Sequence, residues 1–187
     1  MQIIPAEIPE VLLIKPDVFE DTRGYFFESF NKARFNENNI EVNFVQDNIS
    51  RSGKGTIRGL HYQAGDKAQG KLCQVITGSV LDIAVDIRFG SPTFGKYVAQ
   101  ELSGENHNQL WIPPGFAHGF SVLSDHTIFL YKCTDFYSRE HERTIIYNDP
   151  QLNIDWGVDD PVISQKDLNG KPLDEIDRDF IYSKMKI

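Results

Sequence analysis

Along residues 79–87, SVLDIAVDI, apolar Leu81, Ile83, Val85 and Ile87 fall at every second position, with Val80, Asp82, Ala84 and Asp86 between them. A period of two puts successive side chains on opposite faces, so the segment reads as a strand whose faces differ in character. KLCQVIT (71–77) reads as the strand before it, and Thr77-Gly78-Ser79 as a tight hairpin turn joining the two. Further strands are expected at VLLIK (11–15), YFFESF (25–30), VNFVQDNIS (42–50) and TIRGLHYQ (56–63). The pattern continues with KYVAQELS (96–103), QLWIP (109–113), HGFSVLS (118–124) and TIFLYKCTDF (127–136). Turn formers separate them: Gly53-Lys54-Gly55, Gly90-Ser91-Pro92, Pro113-Pro114-Gly115 and Ser124-Asp125. A helix is expected over 31–38, opened by Asn31 as its N-cap, with a short helix near 174–180. The last ~40 residues are polar and read as extended wrapping segments. Many short strands with frequent turns predict an all-β sandwich or barrel.

Composition narrows the class. At 187 residues the chain is expected to be a single domain, 1–187, large enough to bury a core without a disulfide or metal staple. It is 40% apolar and 12% aromatic, which rules out a disordered chain. The net charge of −8 repels polyanions, so no nucleic-acid partner is expected, and any anionic ligand must be held by a few local cations. No apolar run approaches the ~18–20 residues that span a bilayer, so no membrane partner is expected. The opening MQIIPAEIPEVLLIKPDV lacks the pattern of a signal peptide. Cys73 and Cys133 sit in alternating apolar stretches and read as reduced thiols packed in strands, consistent with a cytoplasmic location.

Five histidines are present, and two stand out as proton carriers: His61 within the strand RGLHYQ, and His118 after the rigid turn PPGFAH. His107, His126 and His141 sit in polar, turn-like settings and are expected to face solvent. The Pro113–His118 segment resembles the second cupin motif, but His61-Tyr62-Gln63 stands where a metal-binding cupin carries H-x-H and a later glutamate. Two histidines are too few for a three-ligand site, so no metal is expected. Arg23, Arg58 and Lys71 are the cations that stand in suggestive settings, and the arginine fork suits phosphate oxygens. Strict alternation would put Arg58 and His61 on opposite faces, so both serve one pocket only if the strand bulges, and Gly59 is the place for it. Tyr131, at strand spacing from Phe129 and Cys133, can donate a proton, and Tyr137 can offer a flat stacking face.

Together, DTRGYFFE (21–28), QDNIS (46–50), RGLHYQ (58–63) and GKLCQVITGSVLDIAVDIR (70–88) carry a family pattern that continues in SPTFGK (91–96), IPPGFAHGFSVLS (112–124), YKCTDFY (131–137) and NDP (148–150). In order and spacing the chain closely resembles the dTDP-4-dehydrorhamnose 3,5-epimerase family, from about residue 3 to 180. The resemblance implies a cupin-type jelly-roll β-barrel or sandwich with a few short helices, a homodimer, and a metal-independent isomerase that uses no cofactor. The implied substrate is the dTDP-sugar dTDP-4-dehydro-6-deoxy-D-glucose, inverted at C3 and C5. It further implies that His61 is the base, with Asp167 holding its ring, that Lys71 stabilises the enolate at the C4 oxygen, and that Tyr131 is the acid on the opposite face. Arg23, Glu28, Gln46, Asn48, Arg58, Lys71, His118, Glu142 and Lys166 match positions that contact sugar, diphosphate or nucleoside, and Tyr137 matches the aromatic that stacks on thymine. Gln74, Tyr147 and Gly157 depart from the family pattern, where a basic residue, tryptophan and proline are usual.

Three other readings share parts of this pattern. A relative that inverts C3 alone or C5 alone would carry the same His61 and Tyr131. A catalytically silent cupin that binds a nucleotide sugar would need neither. A metal-dependent dioxygenase cupin would need more ligands than the motifs supply.

Overall fold

The computed structural model describes residues 1–183. The expected domain, 1–187, therefore ends outside the described residues. The strands are β1 (Gln2–Pro5), β2 (Leu12–Lys15), β3 (Phe19–Asp21), β4 (Gly24–Phe26), β5 (Gln46–Gly53), β6 (Ile57–Gln63) and β7 (Lys71–Thr77). They continue with β8 (Ser79–Asp86), β9 (Tyr97–Ser103), β10 (Gln109–Ile112), β11 (Phe116–Val122), β12 (His126–Cys133) and β13 (Glu142–Thr144). Helix α1 (Lys32–Glu37) starts at Asn31, whose side chain accepts from the Ala33 and Arg34 amides as an N-cap should. A single turn, α2 (Gln165–Leu168), follows near the C-terminus.

Two antiparallel sheets face each other. One has the order β1-β2-β10-β7-β12-β5 and the other β13-β6-β11-β8-β9, while β3 and β4 pair only with each other. This is the all-β jelly-roll arrangement that the strand pattern and the resemblance both imply. The turn at 77–79 differs from expectation. β7 pairs with β10 and β12, and β8 with β9 and β11, so Gly78, at φ 83°, passes the chain from one sheet to the other instead of closing a hairpin. Alternation reports which residues share a face, not which strand lies alongside. The segment expected at 25–30 pairs only as far as Phe26, and the helix expected near 174–180 is a 3₁₀ turn at Leu173–Glu175.

Packing explains the two faces of β8. Ile83 and Val85 point outward, yet they are buried beneath Leu152, Trp156, Leu173 and Ile176 of the C-terminal segment, which lies over that sheet. Val80, Asp82 and Ala84 point into the space between the sheets. There Phe120 of β11 stacks on Phe129 of β12 at 4.1 Å, filling one part of the interior with apolar side chains. Farther along the same strands the inward positions turn polar: Lys71 on β7, His118 on β11, Tyr131 on β12, and Gln46 and Asn48 on β5. A pleated sandwich with polar inward positions at one end leaves a cavity there. Gly157, where the family usually has proline, takes φ 66°, which a proline ring fixed near −65° cannot adopt. No helix among the described residues is long and apolar enough to cross a membrane.

Candidate active site

The cavity between the sheets has a volume of about 710 Å³. His61 enters it from β6, in the five-stranded sheet, and Tyr131 from β12, in the six-stranded sheet. The two groups therefore stand on opposite walls of one space.

The β6 wall depends on Gly59. His118 pairs with His61, but Phe120 pairs with Arg58, so three steps along β6 match two along β11. This is a bulge, and it brings Arg58 and His61 to the same cavity while Leu60 stays in the outer core. Gly59 has φ 128°, and a Cβ there would lie 2.5 Å from the Gly119 Cα. Only glycine fits such an approach of two backbones.

His61 Nε2 lies 2.7 Å from Oδ1 of Asp167, whose Oδ2 accepts from the Gly59 amide at 3.3 Å. Burial by itself would raise the Asp167 pKa. Its bonds to the His61 ring and the Gly59 amide outweigh that and hold it below the usual carboxylate range. An ionised Asp167 keeps the ring proton of neutral His61 on Nε2, which leaves Nδ1 as its basic nitrogen.

Lys71 is 8% exposed, and its ammonium donates to the His61 carbonyl oxygen at 3.4 Å. It lies 5.9 Å from the centre of the Tyr131 ring. Burial pulls its pKa below the ordinary lysine value. Among the described residues no carboxylate oxygen lies within 4.0 Å of it, so its charge is available to a bound anion. Burial likewise pushes the Tyr131 phenol up to about 12, so it keeps its proton through the neutral range.

His118, buried on β11, bonds through Nε2 to Asp82 Oδ1 at 2.7 Å, and burial lowers its pKa. Sequence reasoning passed over Asp82, whose signal was a carboxylate between apolar Val80 and Ala84 on the inward row. Cys73, Asp82 and His118 place a thiol, a carboxylate and an imidazole within 4.8 Å of one another. A metal there would have to displace the existing imidazole–carboxylate bond. Cys73 and Cys133 are both buried free thiols, as expected.

Further polar groups line the same cavity. Gln46 donates to Asn48 Oδ1 at 3.1 Å and accepts from the Tyr137 amide at 2.9 Å. The Tyr137 hydroxyl donates to Glu142 at 3.1 Å, and the Lys166 ammonium pairs with the same carboxylate. Burial would raise the Glu142 pKa, but Lys166 outweighs it and holds the group low. Tyr137 is 54% exposed, and its ring can offer a flat face to a ligand. Arg58 donates through Nε to Ser52 at 3.0 Å. Gln63, not anticipated as a site residue, donates to the Phe136 carbonyl and accepts from the Ser138 amide, bracing the loop that carries Tyr137.

Arg23 and Glu28 are not brought to this cavity within the chain. Arg23 sits at the tip of the β3–β4 ribbon, its side chain 88% exposed and paired with Asp21. Glu28 is paired with Arg34 at 3.1 Å. Beside Arg23, Phe19, Tyr25 and Phe26 are all exposed.

Comparison with known proteins places the chain in a family. The family model described as dTDP-4-dehydrorhamnose 3,5-epimerase matches residues 5–175. A protein of that name from Pseudomonas aeruginosa is 56% identical over 179 residues, covering 95% of this chain and 98% of the relative. One from Shigella flexneri is 54% identical over 181 residues, covering 96% and 99%. The crystal structure of a dTDP-6-deoxy-D-glucose-3,5-epimerase from Legionella pneumophila, in complex with dTDP-4-keto-L-rhamnose, superposes with a TM-score of 0.94 at 52% identity, covering 97% and 98% of the two chains. The chain belongs to the dTDP-4-dehydrorhamnose 3,5-epimerase family.

Proposed function

We propose that this chain inverts C3 and C5 of dTDP-4-dehydro-6-deoxy-D-glucose to give dTDP-4-dehydro-L-rhamnose. Both carbons are α to the C4 ketone, so their hydrogens are acidic. His61 removes a proton from the carbon, and the electron pair passes to the C4 oxygen as an enolate. The Lys71 ammonium stabilises that negative charge as it develops. Tyr131 returns a proton to the same carbon from the other face, and configuration inverts. His61 then loses the proton it gained, and Tyr131 regains the one it gave, by exchange with water. The same cycle at the second carbon completes the reaction. It oxidises and reduces nothing, so no redox cofactor enters the scheme. The observation that carries this reading is the placement of His61 and Tyr131 on opposite walls of one cavity, with the Lys71 ammonium among them.

Substrate contacts belong to the same proposal. Arg58, Gln46 and Asn48 suit diphosphate and sugar oxygens, His118 suits the sugar, and Tyr137 with Glu142 and Lys166 suits the nucleoside. The reading treats residues 1–187 as one cytoplasmic domain that works as a homodimer. The exposed Phe19, Tyr25 and Phe26 on the β3–β4 ribbon support the dimer. In a dimer the ribbon can carry Arg23 toward a partner's cavity, which reconciles its implied substrate role with its place in this chain. Sedimentation equilibrium is expected to give the mass of two chains, and the mass of one would contradict the dimer.

The reaction is tested by incubating the 4-keto sugar nucleotide with the protein in deuterated water. Deuterium at both C3 and C5 of a rhamno product is expected. Label at one carbon would make the protein a single-centre epimerase, and no label would remove enolisation from the account.

A further inference from the structure

Ser164, Gln165, Lys166 and Asp167 spell the S-x-x-D pattern of a capping box, in which a serine caps the helix and the acid three residues on reaches back to the cap's own amide. Only half of that box is closed here. Ser164 Oγ accepts from the Asp167 amide at 3.2 Å, as a cap should. The Asp167 carboxylate turns the other way, to His61 at 2.7 Å and to the Gly59 amide at 3.3 Å. α2 is four residues long, too short to hold its shape by helix propensity. Its ends are tied down instead. Val162 accepts from Ile57 at 3.0 Å before it, and Lys171 accepts from Ile146 at 2.9 Å after it. Between those ties, the side chain that grips the backbone of Asp167 is Ser164, which also lines the cavity.

We propose that Ser164 is a positioning residue for the acid–base reaction: by capping α2 it fixes Asp167, and through Asp167 the ring of His61. This rests on the epimerase reading. Ser164 touches no reacting atom in this scheme, and Lys166 on the same turn is held to Glu142 by its own ion pair, so the loss of Ser164 acts chiefly on turnover.

The test compares wild type, Ser164→Ala and Ser164→Thr, with each rate expressed per dTDP-binding site to remove any unfolded fraction. Ser164→Ala is expected to lower kcat by about threefold to thirtyfold, the range set by losing one N-cap, with KM within about twofold of wild type. Ser164→Thr keeps a hydroxyl and is expected to restore most of the rate. In proton NMR without substrate, the His61 ring N–H shared with Asp167 is expected to broaden in Ser164→Ala and sharpen again in Ser164→Thr. Unchanged kcat per site in Ser164→Ala, a rise in KM alone, or no rescue by threonine would overturn the proposal. If wild type never exchanges substrate hydrogen, the epimerase reading falls, while the His61 resonance still decides whether Ser164 holds the Asp167–His61 pair.

Discussion

Replacing His61 by alanine is expected to lower turnover of the 4-keto sugar nucleotide at least ~10²-fold, the usual cost of losing a general base. The imidazole is the basic group that Asp167 holds in place at 2.7 Å. Tyr131 holds its proton, and Lys71 is assigned to the C4 oxygen and not to the carbon, so neither is placed to take over. Affinity for dTDP should stay near wild type, because the groups assigned to the nucleotide are Tyr137, Glu142 and Lys166 and not His61. Steady-state kinetics with a calorimetric titration of dTDP separates the two effects. An alanine variant with wild-type turnover would remove His61 from the mechanism.

The second large effect is expected at Tyr131. Tyr131→Phe removes the hydroxyl and keeps the ring, so packing against Phe129 and His118 persists and stability should change little. Net inversion is expected to fall ~10²–10⁴-fold. A base alone can take a proton from one face and return it only to that face. The alkaline limb of the pH profile should survive in this variant, because it belongs to a different group. With burial holding the Lys71 pKa below the ordinary lysine value, the ammonium loses its proton as pH rises through that lowered value, and the enolate loses its counter-charge. The Tyr131 phenol, at about 12, still holds its proton there. If the limb vanished in Tyr131→Phe, it would belong to Tyr131 after all.

Much of this site could be read along the chain. The bulge at Gly59 was legible because Arg58 and His61 could share a pocket only if alternation broke between them, and a glycine stood at the break. The inward row of β8 was legible as a face, though not as a neighbour of β9 and β11. The turn at 77–79 has the same local chemistry whether it closes a hairpin or crosses between sheets. Asp82 went unread because its partner, His118, lies 36 residues away and meets it only through the β8–β11 register. α2 went unread because one turn has no periodicity to detect, although its S-x-x-D signature was present. Arg23 and Glu28 show the opposite limit. Their motif is intact, yet the ribbon that carries Arg23 pairs with neither sheet, and no pattern in the sequence announces that.

The most direct measurement follows solvent deuterium into substrate recovered from the Tyr131→Phe reaction, with His61→Ala alongside. Tyr131→Phe is expected to return the D-gluco sugar carrying deuterium at C3 or C5 in its original configuration, because His61 still removes and replaces the proton on its own face. His61→Ala should return it unlabelled. Label entering with His61 gone, or Tyr131→Phe forming the rhamno product at the wild-type rate, would contradict a reaction passed between these two groups.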